Sequence, residues 1–548
     1  MISEVFAASS LEKIFPESIE NVNKIERASI LKGEVYSFQI VCFCDNGADI
    51  WVTCDSDLDV SFREVTLNPC EFPANDYSEN PYILKNTCGL YPDALTIHEK
   101  FRIPPRQYRC IWVTVKTSDD TKAKLYRIEA KLSFKSTGNG EIIDKTCGID
   151  LDILPANLPE QQLIHTEWFH ADCIYTRYGV ECWSKEHWDL LEKYFLNFSA
   201  HGMNMLLTPL WTPPLDTAVG AERPTVQLLN ISCENGVYSF DFSRLKKWIF
   251  LAQKCGIKYF EMSHPFTQWG AEHAPKIIVN INGKDEKLFG WHTDSCGTEY
   301  TDFLRQLFPQ LLEFLEKCKV KENCFFHVSD EPSTNHIPTY SKCAALIKEL
   351  TCNGNIIDAL SSIDFYNRGL VKTPIPGNNH IEDFRSANVK PLWTYYCCSQ
   401  TAKVPNRFFN FPSLRSRIMG VLMYIYDIAG FLQWGYNFWY SRRSEKLDID
   451  PFRVTDADRA FPSGDAFMVY PGSDGPVDSI RHEIMREALQ DLRALKKLES
   501  FIGREKTLEF IHADLDYQLS MTDYPRSDKW LIDLRERINS AIKNAVCK

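Results

Sequence analysis

The hydrophobic period of this chain changes near residue 155, and that change limits the architectures open to it. Before it, apolar residues recur every second position. In GEVYSFQIVCFC (33–44), Tyr36, Phe38 and Ile40 alternate with Val35, Ser37 and Gln39. RCIWVTVKTS (109–118) sets Ile111, Val113 and Val115 against Trp112 and Thr114, and LYRIEAKLSFKS (125–136) repeats the pattern. Such runs, separated by turn-rich pieces such as LNPCEFPANDYSENP, predict an all-β sandwich over residues 1–155. DILPANLPE (152–160) carries two prolines and reads as a linker. Beyond it, short apolar runs alternate with segments of helical period. Strands are expected at 163–170, 203–210, 257–264, from Cys324, at 355–363, within 372–384, at 391–398 and at 429–437. Helices are expected from Ser184, Asp241, Thr298 and Ser479, with Pro309 kinking or breaking the third of these. Eight βα units in succession predict a (β/α)8 TIM barrel over residues 160–500. Residues 501–548 are polar with a helical pattern and read as a C-terminal extension packed on the barrel. A chain of 548 residues accommodates such a multidomain arrangement.

Net charge is −12, with no long basic run, so nucleic acid and anionic membranes are disfavoured as partners and a neutral or cationic small ligand is favoured. No stretch reaches the ~18 apolar residues that span a bilayer. The first residues lack the basic and apolar regions of a secretory signal. The 19 cysteines are scattered without a CxxC, several of them within apolar runs. A reducing, cytoplasmic location is therefore expected. Aromatic residues make up 13% of the chain, which suits a large core and also suits sugar faces stacked on rings.

The fourth strand ends in chemistry. In CFFHVSDEP (324–332) an apolar run leads into Asp330 and Glu331, and Pro332, lacking an N–H, stops the ladder. In a barrel the carboxyl ends of strands carry the active site. Two adjacent carboxylates repel, so one pKa should rise, which prepares that group as a general acid. Acids also favour a helix N-terminus through the helix dipole, so these nine residues alone leave both readings open. His327, inside the run, reads as an interior histidine with satisfied partners.

The other strand ends offer Trp168, His170 and Asp172; Trp211; His264, Gln268 and Trp269; Asp364 and Asn367; Tyr395 and Tyr396; and Trp434, Tyr436 and Asn437. Acids, amides, tyrosines and tryptophans together suit a sugar cleft better than a phosphate or metal site. There is no Gly-rich phosphate loop, no GxSxG and no HxH or HExxH spacing, so no cofactor and no metal are expected. The long loops 265–297 and 441–478 are expected to rim the pocket.

HVSDEP (327–332), EWFHADC (167–173), FTQWGAEHAPK (266–276), LWTYYCC (392–398), GFLQWGYNFW (430–439) and GDAFMVYPGSDGP (464–476), taken in order, resemble glycoside hydrolase family 123, the β-N-acetylgalactosaminidase-like enzymes. The resemblance implies a retaining, exo-acting, substrate-assisted mechanism in which the sugar's 2-acetamido oxygen forms an oxazoline. It casts Glu331 as general acid and base, Asp330 as acceptor of the acetamido N–H, and Tyr395 as donor to the acetamido oxygen. Trp434 and Trp269 would wall the ring, and Asn437, His170 and His264 would reach hydroxyls, with Asp364 a further binding residue. The implied partner is an oligosaccharide or glycolipid, with a homodimer left open. Alternatives are another N-acyl hexosamine, or a non-catalytic carbohydrate-binding barrel.

Overall fold

The computed structural model describes residues 3–19 and 22–547. The ends of the expected sandwich and extension, residues 1, 2 and 548, lie outside the described residues. The N-terminal part forms two five-stranded sheets. One contains Val35–Cys44 and Gln107–Lys116, paired antiparallel; the other contains Leu125–Ser136 and Ile142–Asn157. Their alternating residues meet in one core, where Phe38, Ile40, Ile111, Val113, Ile128, Leu132, Phe134 and Ile149 are buried. This is the inward face that the period of two dictates.

The second part is an eight-stranded parallel sheet curled into a nearly closed barrel. Its strands are Ile164–Glu167, Met205–Thr208, Tyr259–Met262, Cys324–Phe326, Asn355–Ala359, Thr373–Ile375, Leu392–Tyr395 and Ile428–Gln433. The first strand pairs with the second and the eighth, and the order runs on around the sheet. The sixth and seventh strands meet at the last residue of the seventh, where Tyr395 N–H donates to Pro376 O at 3.0 Å and Asn378 N–H donates to Tyr395 O at 2.8 Å.

Two of the barrel helices start at the serines where they were expected: the hydroxyls of Ser184 and Ser479 accept the N–H of His187 and His482. Pro309 does not break its helix, which runs from Thr298 to Lys317. Burial of Phe303, Leu304, Leu307, Phe308, Leu311 and Leu315 along one face outweighs the lost backbone bond. Asn282 and Gly283, both at positive φ, turn the hairpin between Ile277–Ile281 and Lys284–Phe289.

The tail contains helices Arg504–His512 and Asp528–Val546. The second helix bridges the two parts of the molecule. Arg535 pairs with Asp491 of the last barrel helix and with Glu34 of the sandwich, and Glu536 accepts from Ser29. No described helix is long and apolar enough to cross a membrane.

Candidate active site

Beyond Phe326 the chain turns through Asp330, Glu331 and Pro332. Glu331 has φ +43°. A non-glycine residue in this left-handed region carries about 1–2 kcal/mol of strain. Two backbone bonds impose it: Glu331 N–H donates to Ala359 O on the fifth strand at 3.1 Å, and Trp269 N–H donates to Asp330 O at 2.9 Å. Ser329 Oγ adds a bond to Thr267 O at 2.9 Å. Held between the third and fifth strand ends, both acids open on one cavity of about 200 Å³.

Glu331 is exposed to that cavity, and Tyr395 Oη donates to its Oε1 at 2.6 Å. The shorter Asp330 sits deeper, with no hydrogen-bond partner for its carboxyl among the described residues. Burial, and then the charge of Glu331, push it well above the usual carboxylate range. The pKa rise expected for one member of the pair therefore falls on Asp330. A larger hollow of about 1170 Å³ opens at the opposite end of the barrel, beside Ile164, Tyr259 and Leu392, and holds neither acid.

The cavity brings together most of the expected residues. Trp434 lines it, its indole N–H anchored on Asp465 Oδ2 at 2.9 Å. Trp269 stands at the rim, 40% exposed. Trp168 and Gln268 also line it. His170 lines it with its ring nitrogens already spent. Its Nδ1 accepts from Arg223 Nη2 at 3.0 Å, so the proton sits on Nε2 and is donated to Trp434 O at 3.1 Å. Arg223 in turn is paired with buried Asp172.

Three expectations are corrected by placement. Asn437 is fully buried behind the wall, where its amide accepts His170 N–H at 2.8 Å and donates to His170 O at 3.0 Å. His264 lies beneath the cavity, stacked on His327 with centroids 3.9 Å apart, and does not line it. Asp364 is exposed at the start of the short helix Asp364–Asn367 and does not line the cavity.

The sequence reading also missed residues that do line the cavity: Leu215, Asp216, Cys397, Cys398, Arg442 and Phe461. Arg442 and Phe461 belong to the 441–478 loop that was expected to form a rim. Asp216 follows the second strand in LWTPPLDT, where a carboxylate beside two prolines was the available signal.

Beneath the floor lies a buried charge network. His327 donates from Nε2 to Glu261 Oε1 at 2.7 Å and from Nδ1 to Asp358 Oδ1 at 3.1 Å, so the ring is an imidazolium. Burial alone would push its pKa down, but Asp358 and Glu261 hold it up at about 9. Burial pushes Asp358 up, yet its two oxygens accept from His327, Val328 N–H and Tyr340 Oη, a donor set suited to a carboxylate. Glu261 also accepts from Trp168 Nε1 at 2.7 Å and from Thr166 Oγ1 at 2.6 Å. The ligand atoms of His264, His327 and Asp358 lie within 4.8 Å of one another, close enough to suggest a metal. Both His327 nitrogens are already engaged by carboxylates, so a proton fills the role an ion would take.

Comparison with known proteins fits this geometry. The whole chain superposes on a family 123 glycoside hydrolase from Clostridium perfringens, described in terms of glycolipid glycan hydrolysis. The TM-score is 0.72 at 14% identity, covering 100% of this chain and 98% of that one. A β-glucuronidase from Parabacteroides merdae matches with a TM-score of 0.31 at 9% identity, over 88% of this chain and 51% of that one, too distantly to bear on the fold. A search of curated protein sequences finds no match. The family model for the catalytic domain of glycoside hydrolase 123 matches residues 168–498, which runs from the tryptophan on the cavity floor through both acids to the last barrel helix. With more than half its length matched, the chain belongs to glycoside hydrolase family 123 and is a glycoside hydrolase.

Proposed function

We propose that the protein is a retaining, exo-acting β-N-acetylgalactosaminidase that uses the 2-acetamido group of its substrate as nucleophile. The observation that carries the reading is the adjacent pair itself: Asp330 and Glu331 open side by side on one cavity lined by Trp168, Trp269 and Trp434. Neighbouring acids suit an enzyme whose second catalytic group works on the acetamido group rather than attacking the sugar from across the ring.

The raised Asp330 gives the proton a starting place. Raised by burial and by the charge of Glu331, Asp330 lets the adjacent pair hold a proton more readily than isolated carboxyls would, and in the proposed cycle that proton starts on Asp330. An incoming acetamido N–H needs a carboxylate acceptor, so binding favours ionised Asp330 and a proton on Glu331. Glu331 then protonates the glycosidic oxygen while the acetamido oxygen attacks the anomeric carbon. The C–O bond breaks, an oxazolinium forms, and Asp330 balances its charge. Glu331, now a carboxylate, takes a proton from the water that opens the ring and regains its acid form. Tyr395 donates to Glu331 in the resting site and is assigned to the acetamido oxygen once sugar is bound.

The substrate is a glycan or glycolipid with terminal β-linked N-acetylgalactosamine. The glycolipid part rests on the description of the Clostridium perfringens relative. A screen of 4-nitrophenyl glycosides that includes both N-acetylhexosaminides and the plain galactoside tests the reading. Turnover of the N-acetylgalactosaminide, inhibition by its thiazoline analogue and no cleavage of the galactoside are expected. Glu331→Gln should lose at least about 100-fold in kcat on substrates with poor leaving groups, the scale of general acid catalysis, and Asp330→Asn should also fail. Efficient cleavage of the plain galactoside, unchanged turnover by Asp330→Asn, or unchanged turnover by Glu331→Gln on a substrate with a poor leaving group, would remove the assignment.

A further inference from the structure

Most polar side chains around the cavity are already committed to partners in the protein. The Trp168 and Trp434 indoles are spent on Glu261 and Asp465. His170 is spent on Arg223 and Trp434 O. The Gln268 amide accepts Asp216 N–H at 2.7 Å and donates to Thr217 O at 3.2 Å. Among charged groups, Asp330, Glu331 Oε2, Asp216 Oδ1 and the Arg442 guanidinium have no hydrogen-bond partner among the described residues. The proposed mechanism uses the first two. A terminal hexosamine still presents hydroxyls at C3, C4 and C6, each a donor that needs an acceptor where the cavity takes it out of water.

Resting on the proposed function, we infer that Asp216, with Arg442 beside it, reads a hydroxyl of the terminal sugar and is a specificity-determining residue of this enzyme. The backbone at Asp216 is held as a reading group requires. It lies at φ +42°. Gln268 Oε1 accepts its N–H, its carbonyl accepts from Ser444 Oγ at 2.8 Å, and its Oδ2 accepts Arg443 N–H at 2.8 Å. One oxygen is thus fixed to the eighth-strand loop and the other is left for ligand. Burial raises the carboxyl to about 6, against Arg443, Arg223 and Arg442 nearby. The sugar is an uncharged donor to this carboxylate, while Arg442 can donate to the same hydroxyl oxygen.

Asp216→Asn tests this without disturbing the loop: the amide oxygen can stay on Arg443 N–H, so the cavity receives an N–H₂ donor in place of an acceptor. The assay is kcat/KM on the 4-nitrophenyl β-N-acetylgalactosaminide and on its 3-, 4- and 6-deoxy analogues. Thermal melting of the unsubstituted enzyme and of the Asp216→Asn variant serves as the fold control. The expected result is a loss on the order of 10- to 100-fold on the parent sugar that shrinks to within about twofold on at least one deoxy analogue. An equal loss on every sugar, such as a nucleophile or a merely structural residue would give, overturns the inference and leaves the proposed function standing. No loss on the parent does the same. Inactivity of the unsubstituted enzyme on every hexosaminide overturns both.

Discussion

Replacing His327 by glutamine is the perturbation whose size the structure fixes most closely. Glutamine keeps an N–H donor but removes the charge that Glu261 and Asp358 share from opposite sides of the ring. A pKa raised from 6.5 to about 9 corresponds to about 3 kcal/mol of folding free energy, at 1.36 kcal/mol per pH unit. An independent route agrees, since removing one partner from a buried ion pair costs about 3–5 kcal/mol. The folded protein binds this proton more tightly than the unfolded chain does. The contribution is therefore complete below pH 6.5 and is lost as pH rises through about 9. Urea midpoints measured across that window for both proteins check it. The difference between the curves should be about 3 kcal/mol near pH 6 and should close in alkali, and titrations common to both proteins cancel. Parallel curves, or a variant as stable as the unsubstituted protein at pH 6, would refute the imidazolium assignment.

Other predictions follow from the backbone and from the buried support of the wall. At Glu331, φ +43° is accessible to glycine and strained for alanine, so Glu331→Gly should be more stable than Glu331→Ala by about 1 kcal/mol, read by thermal melting of two inactive proteins. Asn437→Ala removes both bonds to the His170 backbone and should cost about 1–3 kcal/mol in stability, with KM on the folded enzyme changed far less. Asp364→Ala, on an exposed helix start, should move neither melting nor kinetics beyond about 0.5 kcal/mol.

The barrel was legible because each of its strands is an apolar run too short for a helix and is followed by helical periodicity. The expectation left broadest, within 372–384, corresponds to the three-residue strand Thr373–Ile375, which is too short to show a period. The acid pair was legible because it interrupts such a run abruptly. What the sequence hid was direction. Asn437 and Trp434 lie three residues apart past the end of one strand, yet one supports the wall from behind while the other forms it. No period governs a turn beyond a strand end. Asp216 was hidden for a different reason. Its carboxylate is placed by Arg443, 227 residues away, and its carbonyl by Ser444, contacts that no local pattern announces. His264 looked like a mouth residue by position, but stacking on His327 draws it under the floor.

The buried charges follow one rule, and the rule separates support from chemistry. Three rings on the cavity surface rest on a carboxylate or guanidinium below them: Trp168 on Glu261, His170 on Arg223 and Asp172, and Trp434 on Asp465. These supports are themselves engaged, Glu261 by His327 and Thr166, and the Asp465 carboxylate by Gln433 Nε2 at 3.4 Å. A carboxylate so engaged has little to offer a sugar. It instead fixes a ring to within the few tenths of an ångström that stacking and in-line attack demand. The acids left with a free oxygen, Asp330, Glu331 and Asp216, converge on the one space the rings enclose. Keeping such groups unpaired costs stability, and Asp330, raised by burial and by its neighbour, carries the clearest part of that cost. Asp330→Asn keeps the shape and removes the charge. A carboxyl raised above 3.8 binds its proton more tightly in the folded state, so its ionisation destabilises the fold progressively as pH climbs from 3.8 towards the raised value. The variant should therefore melt close to the unsubstituted enzyme near pH 4 and above it near pH 8, while losing turnover at both. A melting difference that does not grow with pH would mean that Asp330 is paired after all, and would remove the distinction drawn here between acids that hold the wall and acids that wait for the sugar.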